Sequence, residues 1–206
     1  MQEKFDAYLK EMPIVAILRG IALEEIPPVC EALLRAGIRL LEVPLNTPDA
    51  FSCIRKAVSC CGKEQLAGAG TVLTAEEVRK VKECGGTFIV SPNTDEAVIM
   101  ETKRLSMVSI PGFFTATEGF RAVKAGADYL KLFPACLGPS YIKDLKAVIK
   151  TPIMAVGGVK LENFGSFLNI ACGAGVGSAI YKPGKSIAEV SAAAEAFAAI
   201  VKNSRR

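Results

Sequence analysis

A lysine in the middle of an apolar run is the first candidate for chemistry. Lys131 stands in Tyr129-Leu130-Lys131-Leu132-Phe133-Pro134, a stretch too short for a helix and closed by proline. Parallel strands covered on both faces are near-continuously hydrophobic, so the run reads as a buried strand. A lone ammonium there is costly unless it is paired or gives up its proton, and a neutral lysine is a nucleophile for carbonyl carbon. Two other readings are open: a lysine paired with an internal carboxylate, or one at a strand end that snorkels to water.

Glu42 is the second anomaly, an acid between Leu41 and Val43. Burial would raise its pKa toward the range useful for proton transfer, although a structural Glu–Lys pair would look the same in sequence. Glycines form the third feature: Gly157-Gly158, and Gly175-Val176-Gly177-Ser178. They let backbone N–H groups approach an anion closely. The second set lies too near the chain end to open a dinucleotide-binding unit. Arg19, beside Gly20, reads either as a carboxylate or phosphate partner or as a surface arginine beside a turn, and the Thr71 hydroxyl could orient a carboxylate or a water. Pro92 and Pro111 shape loops, and Phe133 walls the lysine's pocket. Together these residues offer an amine, a carboxylate, an arginine and an anion cradle, which suits Schiff-base chemistry on a phosphorylated oxo-acid.

The elements that must position them follow one pattern. Short apolar runs end near Gly20, Pro44, Gly70, Ser91, Pro111, Phe133, Gly157 and Gly177, each followed by a helical stretch. Expected helices cover 48–58, 75–84, 95–104, 117–125, 141–149, 161–169 and 187–201, and one begins at Pro27-Pro28. Such spacing is about the minimum for a strand and its crossover helix. Eight units without a linker predict an α/β fold, a (β/α)8 TIM barrel spanning 1–206 as one domain, with a short polar lead over 1–12; a doubly wound open sheet is the rival. Active sites of such barrels sit at the C-terminal strand ends, where every residue singled out above falls, and the loops after the last two strands commonly hold phosphate.

Bulk properties narrow the function further. Of 206 residues, 50% are hydrophobic and the net charge is +4, without a basic run, so nucleic acid is not an expected partner. The polar start and the lack of a span-length apolar stretch predict a soluble, cytoplasmic protein. The seven cysteines form no CxxC pair, which suits a reducing compartment. The chain has no histidine, so His triads and imidazole-based acid–base chemistry are excluded, leaving Glu, Asp, Lys, Tyr, Cys or water to move protons.

The ordered set Leu18-Arg19-Gly20, Leu41-Glu42-Val43-Pro44-Leu45-Asn46-Thr47-Pro48, Gly68-Ala69-Gly70-Thr71-Val72-Leu73, Ser91-Pro92-Asn93, Pro111-Gly112, Lys131-Leu132-Phe133-Pro134 and Val156-Gly157-Gly158-Val159 resembles the 2-keto-3-deoxy-6-phosphogluconate / 4-hydroxy-2-oxoglutarate aldolase family. The resemblance runs over roughly 13–201. It implies a trimeric barrel enzyme that releases pyruvate from a phosphorylated 2-oxo acid by class I chemistry, with no metal or cofactor. By position, Lys131 resembles the Schiff-base lysine and Glu42 the general acid–base. Arg19 and Thr71 look like pyruvate-carboxylate partners, and Gly157, Gly158, Gly177 and Ser178 like the phosphate site. Two departures mark a branch. Asn46 stands where the phosphogluconate and hydroxyglutarate enzymes typically carry arginine, and Val156 where they typically carry threonine. Both resemble the 2-dehydro-3-deoxy-6-phosphogalactonate aldolases. Val156 lacks a hydroxyl that could bond the substrate's C4 hydroxyl, so C4 selectivity should shift. The alternatives are the phosphogluconate epimer and a non-catalytic phosphate-binding barrel.

Overall fold

The computed structural model describes residues 1–205. The chain opens with helix α1 (Gln2–Glu11), then strand β1 (Ile14–Ile17), a 3-10 turn (Leu23–Glu25) and α2 (Ile26–Arg35). Strand–helix pairs follow: β2 (Leu40–Pro44), α3 (Ala50–Cys61), β3 (Leu66–Gly70), α4 (Ala75–Glu83), β4 (Phe88–Val90) and α5 (Glu96–Arg104). Next come β5 (Val108–Ile110), β6 (Gly112–Phe113), α6 (Ala116–Lys124), β7 (Leu130–Leu132) and α7 (Gly138–Val148). The last elements are β8 (Ile153–Val156), α8 (Leu161–Leu168), β9 (Gly173–Val176) and α9 (Ile187–Ser204). All strand pairings are parallel, in the order β5-β4-β3-β2-β1-β9-β8-β7-β6.

The expected barrel is present, with one correction. The fifth course does not end at Pro111 but continues to Phe113, and its ladder is interrupted at Pro111 because proline has no N–H to give. The Pro111 carbonyl still accepts from Lys131 N at 2.8 Å, and the Ser109 carbonyl from Tyr129 N at 3.2 Å, so β7 closes against this course. The open-sheet rival is thereby excluded.

The short polar lead carries α1, with Phe5 and Leu9 buried one turn apart. Among mostly polar residues, two apolar positions are enough when both face one target. Phe5 fills the barrel floor between Phe88 and Tyr129, with ring centroids 5.3 and 5.2 Å away.

Pleating sorts each strand's residues. Leu40 packs in the barrel interior with Val15, Leu66, Phe88, Tyr129 and Met154, whereas Leu41, Val43, Leu130 and Leu132 pack outward against helices. Successive side chains alternate faces, so Glu42 and Lys131 must point inward. Helix starts are fixed locally: Thr74, Thr115 and Ser186 accept from the backbone N–H groups of Glu77, Glu118 and Glu189, whose carboxylates bond back.

Candidate active site

A cavity of about 450 Å³ opens at the C-terminal end of the barrel. Lys131 from β7 and Glu42 from β2 line it and are only 6% and 3% exposed. Both also border a small void just beneath it, walled by Val15, Val90, Ile110 and Met154. Burial lowers the Lys131 pKa; Glu42 opposes that shift and Arg19 reinforces it. Burial likewise raises the Glu42 pKa, with the charges of Lys131 and Arg19 pulling the other way. The two groups act on each other through space, without a shared hydrogen bond.

Neighbours fix both side chains. The Lys131 Nζ sits 4.7 Å from the Phe133 ring centroid. The Glu42 carboxyl lies against the α-carbon of Gly70, where an added Cβ would come within 2.4 Å of Oε1. Gly70 therefore leaves the space in which the carboxyl rests.

Two loops build the opposite wall. Gly157 and Gly158 have φ of +88° and +77°, a region that side chains disfavour, and both line the cavity. Asn163 in α8 braces this turn: its Nδ2 donates to the Gly158 carbonyl at 2.9 Å, and its Oδ1 accepts from Lys160 N at 2.8 Å. Gly177 and Ser178, just past β9, face them across the cavity wall together with Lys182.

Of the residues picked out from sequence, the structure brings together Arg19, Glu42, Lys131, Phe133, Val156, Gly157, Gly158, Gly177 and Ser178. Thr71 and Pro92 do not line the cavity. Thr71 adopts a φ of +56°, and the Pro92 carbonyl packs against Gly112, where a Cβ would meet it at 2.3 Å. Arg19 reaches the cavity with its Nη1 donating to Asn46 Oδ1 at 2.5 Å. Sequence reading missed Lys160, Tyr181, Lys182 and Pro183, which also line it. Their signal was position alone, since they follow the last two barrel strands. Tyr181 is buried, and its hydroxyl donates to Glu25 Oε2 at 2.7 Å. Burial and the Glu25 carboxylate push the Tyr181 pKa above its ordinary value. Among the described residues, no cluster of three or more His, Cys, Asp or Glu side chains is placed to hold a metal ion.

Comparison with known proteins agrees with this geometry. The chain is 45% identical over 184 residues to the probable 2-dehydro-3-deoxy-6-phosphogalactonate aldolase of Rhizobium meliloti (strain 1021), covering 87% of each chain. It is 42% identical over 191 residues to the 2-dehydro-3-deoxy-6-phosphogalactonate aldolase of Escherichia coli (strain K12), covering 91% of this chain and 93% of that one. A solved structure described as native KDPGal superposes with a TM-score of 0.92 at 39% identity, covering 95% of this chain and 97% of that one. The family model for KDPG and KHG aldolase matches residues 5–197. With the match spanning nearly the whole barrel and its cavity, the chain belongs to the KDPG and KHG aldolase family and is an aldolase, a lyase.

Proposed function

We propose that the protein cleaves 2-dehydro-3-deoxy-6-phosphogalactonate to pyruvate and D-glyceraldehyde 3-phosphate through a Schiff base on Lys131. The observation that carries this reading is the placement of a buried amine with a lowered pKa and a buried carboxyl with a raised one in the cavity that two glycine loops wall. Groups pushed toward neutrality in this way suit nucleophilic attack and proton transfer at ordinary pH.

In the proposed sequence, the neutral Lys131 amine adds to the C2 ketone, and Glu42, through water, moves the protons that turn the carbinolamine into an iminium and water. The C3–C4 bond then breaks with its electrons flowing into the iminium, while the C4 hydroxyl loses its proton and becomes the aldehyde. The resulting enamine takes a proton at C3, and hydrolysis frees pyruvate and the lysine. Arg19, steadied by Asn46, is assigned to the substrate carboxylate, with Thr71 as a further partner and Pro92 shaping the neighbouring loop. Phe133 walls the amine. Backbone groups at Gly157, Gly158 and Gly177, with the Ser178 hydroxyl, are assigned to the phosphate. Val156, an apolar cavity residue, favours the galactonate epimer by offering no hydrogen bond at C4.

The reading extends to a homotrimer acting in the cytoplasm, with all of 1–206 as one aldolase domain. Among the described residues, no helix is long and apolar enough to cross a membrane. Borohydride reduction in the presence of pyruvate tests the centre: a stable adduct is expected on Lys131 and not in Lys131→Met. An unmodified Lys131, or full activity in that variant, would sink the proposal. Comparing kcat/KM for the galactonate and gluconate epimers tests the substrate, and a clear gluconate preference would overturn the assignment.

A further inference from the structure

The loop after β9 is tied to the loop after β1 at two points outside the reacting centre. Tyr181 donates from its hydroxyl to Glu25 Oε2 across 156 positions of chain, and the same oxygen accepts from Ala22 N at 3.0 Å. One carboxylate thus holds the 3-10 turn and the end of the last barrel loop together. Beside it, the Gly20 α-carbon packs on Pro183, and an added Cβ would come within 2.9 Å of the proline ring. Gly20 is itself fixed by donating its N–H to Thr47 Oγ1 at 3.0 Å. The loop after β1 carries Arg19. The loop after β9 carries Gly177, Ser178 and Lys182.

These ties matter because they join two recognition points that no shared strand or helix connects. A strut between the arginine loop and the anion loop fixes the span over which the cavity holds two charged groups. Small displacements of a positioning group degrade the alignment of a bound substrate, at a cost of up to about a hundredfold per ångström. A hydrogen bond donated to a charged acceptor is stronger than one between neutral groups, which suits a spacer that must not yield.

We propose that Tyr181 and Glu25 are positioning residues that set the distance between the Arg19 loop and the phosphate-binding loop, and so make the enzyme selective for acids carrying a terminal phosphate. This rests on the proposed function, because it takes the two loops as the ends that grip the substrate. A phosphorylated acid needs both ends in register. Its dephosphorylated form needs only the arginine end and the centre.

The readout is the ratio of kcat/KM for the phosphorylated 2-oxo acid to that for the same acid without its phosphate. Tyr181→Phe keeps the ring and loses the tie, so this ratio should fall about tenfold or more. Glu25→Ala breaks the tie from the other end and should reproduce the fall if the phenylalanine variant does not fold. Glu25→Gln keeps an oxygen acceptor and should retain most of the wild-type ratio. A purely structural role would lower both substrates alike. A wild-type ratio in Tyr181→Phe, or in Glu25→Ala if the phenylalanine variant does not fold, would therefore overturn the proposal. Failure of the proposed function is read separately, as absence of a borohydride-trapped pyruvate adduct in the wild-type protein.

Discussion

At the scale of single residues, burial displaces Lys131 and Glu42 from their ordinary ionisation. The proposed attack needs a neutral Lys131, whose pKa is lowered from the 10.5 of a free lysine. The acidic limb of kcat/KM should therefore lie below that value, and a profile rising only near it would contradict the pocket. Glu42 is the charge that opposes the lowering. Removing it in Glu42→Gln should move the lysine's limb to still lower pH when borohydride trapping is followed against pH. Turnover in the same variant should fall about a hundredfold or more through loss of proton transfer. An alkaline displacement of the limb would reverse the sign and refute the electrostatic account. Gly70 tests the seat of Glu42. A methyl group there meets Oε1 at 2.4 Å, so Gly70→Ala should lower kcat by at least about tenfold while the circular dichroism spectrum is kept. Val156→Thr adds a hydroxyl to the cavity wall and should shift the epimer ratio toward gluconate by of order tenfold. Unchanged epimer kinetics would remove Val156 from the specificity argument.

At the scale of elements, chemistry and stability lie at opposite ends of the barrel. α1 closes the floor, where Phe5 is fully buried between Phe88 and Tyr129. Phe5→Ala should cost about 3–5 kcal/mol in urea unfolding, the usual range for emptying a buried aromatic site. At temperatures where the variant stays folded, kcat should remain close to wild type, because the cavity lies at the other end. A loss of kcat with little loss of stability would show that the floor and the mouth are coupled. Lys131 lies on β7 beside the broken fifth course, and its backbone N–H donates to the Pro111 carbonyl. The closure of the barrel and the placement of the proposed nucleophile therefore share one hydrogen bond.

At the scale of the whole molecule, the barrel gathers groups from β1, β2, β7, β8 and β9 into one cavity, although they are spread from Arg19 to Ser178. The trimer is also a whole-molecule proposal. Light scattering should return three times the chain mass at micromolar concentration, and a monomer with full activity would remove trimerisation from the account.

Sequence alone determined much of this because the relevant signals are local. An ammonium or carboxyl inside an apolar run marks itself, and a period of two sends Glu42 and Lys131 to the face shared by Leu40 and Tyr129. Recurring strand–helix units then specify a barrel, and barrels put their sites at strand ends. Tertiary structure decided what depends on distant partners. The role of α1 rests on two apolar residues whose target lies in other strands, and the fifth course passes Pro111 because its neighbours hold it on both sides. The Arg19–Asn46 and Tyr181–Glu25 bonds likewise join residues that carry no mutual signal along the chain. Periodicity reports which face of an element is buried; only the closed barrel decides which polar groups meet there.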